Sequence, residues 1–155
     1  EAWDVSSEAI ETARTNAEIN KLEVVLKQKD ILKSSLLTED QFDVIVSNPP
    51  YVRDVEKELM KSNVLVYEPH LALFVDDDDP LLFFRAIARF AIKNLVVGGM
   101  LFFEINRDFG NATKELLTGY GFEQIEVRKD LSGNSRMVKA VKPVDGGQEV
   151  FSRQR

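Results

Sequence analysis

The stretch Asp43-Val44-Ile45-Val46-Ser47-Asn48-Pro49-Pro50-Tyr51 decides how this chain is read. Val44-Ile45-Val46 is a β-branched run of strand length and predicts a buried strand over 42–47. Two prolines then end it. Proline has no N–H, fixes its own φ and biases the residue before it towards extended backbone. The result is a stiff corner whose carbonyls need not serve a sheet ladder. Asn48 supplies an amide just before the corner, and Tyr51 an aromatic ring just after it. Such a set suits a planar –NH2 group, with two acceptors for its two hydrogens and a ring face to pack against. A plain proline turn is the competing reading. The complete tetrapeptide, behind a strand in an alternating pattern, favours the binding role.

Outward from the corner, the periodicity alternates. Residues 2–5 read as the end of a strand. Ser6 or Ser7 caps a helix with Glu8 and Glu11 in its first turn and Ile10, Ala13, Ala17 and Ile19 as its apolar stripe. Residues 23–28 read as a strand around Val24-Val25-Leu26. Residues 29–41 read as a polar loop anchored by Ile31, Leu36 and Leu37. Residues 53–75 form a long irregular insertion with a short helix near 55–61; insertions of that length are often functional. Asp79 is expected as an N-cap with Pro80 at the first helical position, and Gly98-Gly99 as the end of that helix. A strand over 100–105, a helix over 109–120 closed by Gly121, and two antiparallel strands over 122–128 and 136–142 complete the pattern.

Strands alternating with helices predict an α/β fold with a mostly parallel sheet and antiparallel C-terminal strands. Ligands in such sheets bind beyond the carboxyl ends of the strands. Asp4, Asp30 and Asn48 each follow a predicted strand and are expected along one edge. Residues 1–142 are read as one domain and residues 143–155 as a disordered tail.

Composition removes other classes. The chain has 155 residues, enough for one sizeable core. It has no cysteine and a single histidine, His70, so disulfides, thiolate sites and a His-based zinc site are excluded. His70 is read as a structural loop residue. No apolar run approaches the ~20 residues that span a bilayer, and nothing resembles a signal peptide. The expected location is the cytoplasm, with no membrane partner. The net charge of −6 argues against direct nucleic-acid binding, which relies on neutralising phosphates. The acids at 76–79 are read as a solvated turn rather than a cation site.

The corner and its surroundings resemble the HemK/PrmC family, the N5-glutamine methyltransferases of peptide chain release factors. The matching stretches are Asp4-Val-Ser, Asn16-Ala17, Asp30, Asn48-Pro-Pro-Tyr-Val52, Tyr67-Glu-Pro-His-Leu-Ala-Leu73, Gly98-Gly99 with Glu104, and Lys129-Asp130, Gly133-Asn134 and Arg136. They cover roughly residues 1–142 in the family's order. The resemblance implies a Rossmann-like class I fold, the cofactor S-adenosyl-L-methionine and a release factor as protein substrate. It implies that Asn48 and the Pro49 carbonyl accept the two hydrogens of a glutamine amide, in a corner completed by Pro50 and Tyr51. Asp4 would serve the cofactor ribose, Asp30 its adenine amino group and Ile31 the adenine face, with Asn48 bordering the cofactor.

The chain also departs from the family's pattern. The glycine-rich cofactor loop expected on a strand before Asp4 is not in this sequence, whose first glycines are Gly98 and Gly99. The expectation is therefore an N-terminally truncated catalytic domain that is inactive alone, with exposed strand edges that favour self-association. Two rivals stand beside this reading: an adenine-N6 nucleic-acid methyltransferase, which shares the tetrapeptide, and a non-catalytic fragment. Gly146-Gly147-Gln148 matches the tripeptide that the family methylates and is read as coincidence.

Overall fold

The computed structural model describes residues 1–33, 40–59 and 69–144. The chain divides into two compact units, Glu1–Leu37 and Thr38–Arg155. The first is a βαβ unit. Strands β1 (Ala2–Asp4) and β2 (Leu26–Gln28) pair in parallel, Ala2 opposite Leu26 and Asp4 opposite Gln28. Helix α1 (Ser7–Ile19) joins them. Its N-cap is Ser6, whose hydroxyl oxygen accepts from the Ala9 N–H at 3.2 Å and satisfies one of the helix's unpaired donors.

Two expectations in this unit are corrected. Ile19 is 72% exposed. It lies nine residues beyond the buried Ile10, two and a half turns at ~3.6 residues per turn, and so on the opposite side of α1. The strand expected over 23–28 is shorter, because β1 offers only three residues to pair with. Val24 and Val25 fall outside the ladder and are exposed.

The second unit is built on a four-stranded sheet in the order β3-β6-β8-β7. Strands β3 (Phe42–Ser47) and β6 (Leu95–Glu104) are parallel. Strand β8 (Ser135–Val141) lies between β6 and β7 (Glu123–Lys129) and is antiparallel to both. Helix α3 (Leu82–Asn94) buries Phe84, Ile87, Ala88 and Ala91, a spacing of three and four that places them on one face. Phe84 meets Phe103 of β6 edge to face, with ring centres 5.1 Å apart. Helix α4 (Gly110–Gly119) begins close against β8. A Cβ on Gly110 would stand 3.2 Å from Ser135, so the absence of a side chain permits that approach.

The insertion contains more order than its sequence suggests. Strands β4 (Val52–Arg53) and β5 (Phe74–Val75) form a two-residue parallel ladder. A 3-10 turn (Asp54–Leu59) and the short helix α2 (His70–Leu73) flank it. The His70 ring packs edge-on against Phe74 at 5.3 Å, consistent with a structural part.

Helix α3 does not run to Gly98-Gly99 but ends at Asn94, and β6 starts at once at Leu95. Phe42 and Val44, two apart on β3, face Leu95 and Met100, five apart on β6. The glycines lie in this bulge, where Gly98 has φ +77°. Nor does Asp79 cap the helix: the N-cap is Leu81, and the Asp79 carboxylate instead receives both Arg85 guanidinium arms at 2.8 and 3.1 Å.

Candidate active site

β3 delivers Asn48, Pro49, Pro50 and Tyr51 as one corner in the second unit. Asn48 is exposed, and its side chain makes no hydrogen bond among the described residues. Pro49 is buried, while Pro50 and Tyr51 are half-buried. Among the described residues nothing donates to the Pro49 carbonyl. Among the described residues the corner thus presents an uncommitted amide and an uncommitted carbonyl beside an aromatic ring.

The ring is held from β6. The Tyr51 hydroxyl donates to Glu104 Oε1 at 2.9 Å. Glu104 is the last residue of β6, opposite Met137 of β8. Burial pushes the Tyr51 hydroxyl pKa up, and the Glu104 carboxylate adds to the rise by disfavouring a second negative charge; the Arg136 guanidinium opposes it. Just past β6, Asn106 is buried, and its Nδ2 donates to the Tyr51 carbonyl at 3.5 Å and to Glu56 Oε2 at 3.4 Å. Glu56 Oε1 accepts from Arg53 Nε at 2.8 Å. Burial alone would raise the Glu56 pKa, but bonds from Arg53 and Asn106 hold it below the ordinary carboxylate value.

The turn between β7 and β8 supports the same region. Asp130 Oδ1 accepts from the Ser132 and Asn134 N–H groups, and Oδ2 lies 3.4 Å from Arg136 Nε. The Asn134 N–H, above all, holds the Asp130 pKa down, with Ser132 and Arg136 assisting against burial. Gly133 has φ +85°, which only glycine adopts without strain in this turn.

The first unit holds the other predicted residues. Asp4 is the last residue of β1 and accepts the Ser6 N–H on Oδ1 at 2.8 Å, so it shapes the start of α1. Its second oxygen has no partner among the described residues. Asp30 follows β2 and accepts the Leu32 N–H on Oδ1 at 3.0 Å; Lys33 lies 3.8 Å from Oδ2. Ile31 beside it is half-buried. Because β1 and β2 are parallel and in register, the two carboxylates share one end of that sheet.

Sequence reasoning assigned no role to Asn106, Glu56 or Arg53. The one available signal was an Asn placed just after a strand, as Asn48 is. The acidic turn proves structural: Asp77 accepts the Val55 N–H, Asp76 the Asp78 N–H, and Asp79 holds Arg85. No cluster suited to a metal occurs among the described residues, and no helix among them is long and apolar enough to cross a membrane. Tyr67, Glu68 and the tail with Gly146-Gly147-Gln148 lie outside the described residues.

Comparison with known proteins bears on the family and the fold. The Methyltransferase small domain family model matches residues 1–75. A Release factor glutamine methyltransferase of Flavobacterium psychrophilum is 50% identical over 138 residues, covering 89% of this chain and 48% of that protein. The chain belongs to the release factor glutamine methyltransferase family. It spans about half the length of the curated relatives it matches. Among solved structures, a methyltransferase from Pyrococcus furiosus superimposes with a TM-score of 0.63 at 24% identity, covering 92% of this chain and 61% of that one. The N-methyltransferase NodS of Bradyrhizobium japonicum, in complex with S-adenosyl-L-homocysteine, has a TM-score of 0.53 at 19% identity, covering 91% and 65%. These likenesses show the Rossmann-like class I methyltransferase fold.

Proposed function

We propose that the full-length protein methylates the side-chain amide nitrogen of a glutamine in a peptide chain release factor, with S-adenosyl-L-methionine as methyl donor. The observation that carries this reading is the uncommitted Asn48 amide and Pro49 carbonyl beside the tethered Tyr51 ring, in a chain of this kinship. Asn48 Oδ1 and the Pro49 carbonyl accept the two amide hydrogens. The Tyr51 ring packs on the glutamine side chain, and Pro50 stiffens the corner between them.

An amide nitrogen is a poor nucleophile because its lone pair is delocalised into the carbonyl. Holding both hydrogens fixes the nitrogen for in-line attack, and orientation of this kind contributes up to ~7–11 kcal/mol. The new N–C bond forms as the methyl leaves sulfur, and a proton departs as positive charge builds on nitrogen. No strong base is needed beforehand, and the corner contains none.

The donor chemistry of the first unit fits the cofactor. Asp4 spends Oδ1 on its own turn and has Oδ2 left for a ligand, whereas Asp30 Oδ2 also faces the Lys33 ammonium at 3.8 Å, an exposed pair that a ligand would have to share or displace. Asp4 would accept from ribose hydroxyls, Asp30 from the adenine amino group, and Ile31 would cover the adenine face. When bound, the cofactor supplies an electrophilic methyl group on a positively charged sulfur. A release factor as substrate places the protein in the cytoplasm. The test is mass spectrometry of a release factor incubated with the full-length protein and cofactor: one methyl group mapped to a glutamine side chain is expected, and an unmodified substrate would contradict the proposal.

A further inference from the structure

The Tyr51 side chain and backbone are both gripped from the end of β6. Glu104 takes the hydroxyl at 2.9 Å, and Asn106, two residues on, reaches the carbonyl at 3.5 Å. Between them the Ile105 N–H donates to the Arg136 carbonyl at 2.9 Å, tying this strand end to β8. The Asn106 amide is oriented, because its Oδ1 accepts the Asp108 N–H at 3.1 Å and so turns Nδ2 towards Tyr51 and Glu56. None of these contacts uses Asn48 or the Pro49 carbonyl. They restrain the ring and the backbone that follows the prolines and leave the acceptors open.

We propose that Glu104 and Asn106 are positioning residues that act through Tyr51, fixing the ring and the proline corner so that the bound amide meets the methyl group in line. The inference rests on the glutamine reading above. Neither residue touches the substrate. The role assigned to Glu104 is that of a hydrogen-bond acceptor, because its Oε1 takes the Tyr51 hydroxyl. A neutral acceptor of the same shape should therefore serve nearly as well.

The test compares Glu104→Ala, Glu104→Gln and Tyr51→Phe in the full-length protein. Losing this bond in the reacting geometry should lower kcat about ten- to a hundredfold in Glu104→Ala. KM for the release factor should stay within about threefold, since misaligned binding is expressed mainly in turnover. Cofactor affinity should be unchanged. Glu104→Gln should recover kcat to within about threefold of the unaltered protein. Tyr51→Phe should resemble Glu104→Ala, and the two combined should lose no more than either alone, because both remove one bond. Unaltered turnover in Glu104→Ala would overturn the role, as would a Glu104→Gln protein no better than Glu104→Ala. If the unaltered protein methylates no glutamine, the functional reading fails, and the tether is judged by hydrogen exchange alone. The Tyr51, Val52 and Arg53 amides should exchange faster in Glu104→Ala than in Glu104→Gln, and equal rates would overturn it.

Discussion

Tyr51 illustrates how single residues carry this site. Its raised hydroxyl pKa has a defined consequence for stability. A tyrosine whose folded value lies above its unfolded one binds more protons in the folded state over that window. Its contribution is present below the unfolded value of ~10 and is lost as pH rises through the folded value. Tyrosine absorbance during an alkaline titration should lose a phase above the unfolded value in Tyr51→Phe; an unchanged curve there would contradict the raised Tyr51 value. On the cofactor side, Asp4→Ala should weaken S-adenosyl-L-methionine binding to the full-length protein by ~1–3 kcal/mol, the cost of an unpaired polar partner. Unchanged affinity by calorimetry would leave Asp4 with only its bond to the Ser6 N–H. The Asn-Pro-Pro-Tyr corner was legible in the sequence because its chemistry is local: proline sterics and neighbouring side chains. Its tethers were not, because Glu104 lies 53 residues and Asn106 55 residues further along the chain. Only the parallel pairing of β3 with β6 brings them alongside.

At the scale of elements, the sequence located most strands and helices and misjudged several ends. Periodicity found the apolar face of α3, since Phe84, Ile87, Ala88 and Ala91 follow helical spacing. Phe84 is fully buried against Phe103, so Phe84→Ala should destabilise the second unit by ~3–5 kcal/mol. Urea denaturation followed by circular dichroism measures this, and a loss below about 1 kcal/mol would show that the site collapses to fill the cavity. The Gly98-Gly99 pair looked like a helix stop because glycine commonly ends helices. Here it serves a bulge instead, which a linear pattern does not distinguish. The short β4-β5 ladder was equally hidden, since two-residue strands leave no period to detect and their partners are separated by the insertion.

At the scale of the whole molecule, the two units carry different parts of the proposed chemistry: acids for the cofactor in Glu1–Leu37, and the amide corner in Thr38–Arg155. Every glycine of this sequence lies at or beyond Gly98, so the first unit contains no glycine to give a cofactor the close backbone approach of a glycine loop. Residues 1–155 alone should therefore bind S-adenosyl-L-methionine weakly; micromolar binding by the monomer would show that the acids suffice. In the proposed reaction Asn48 and the proline corner hold a glutamine amide for methyl transfer. This role is tested most directly by mass spectrometry of a release factor treated with the full-length protein and with its Asn48→Ala variant. A methylated glutamine is expected from the first and almost none from the second, with cofactor affinity retained. Full methylation by Asn48→Ala would contradict it.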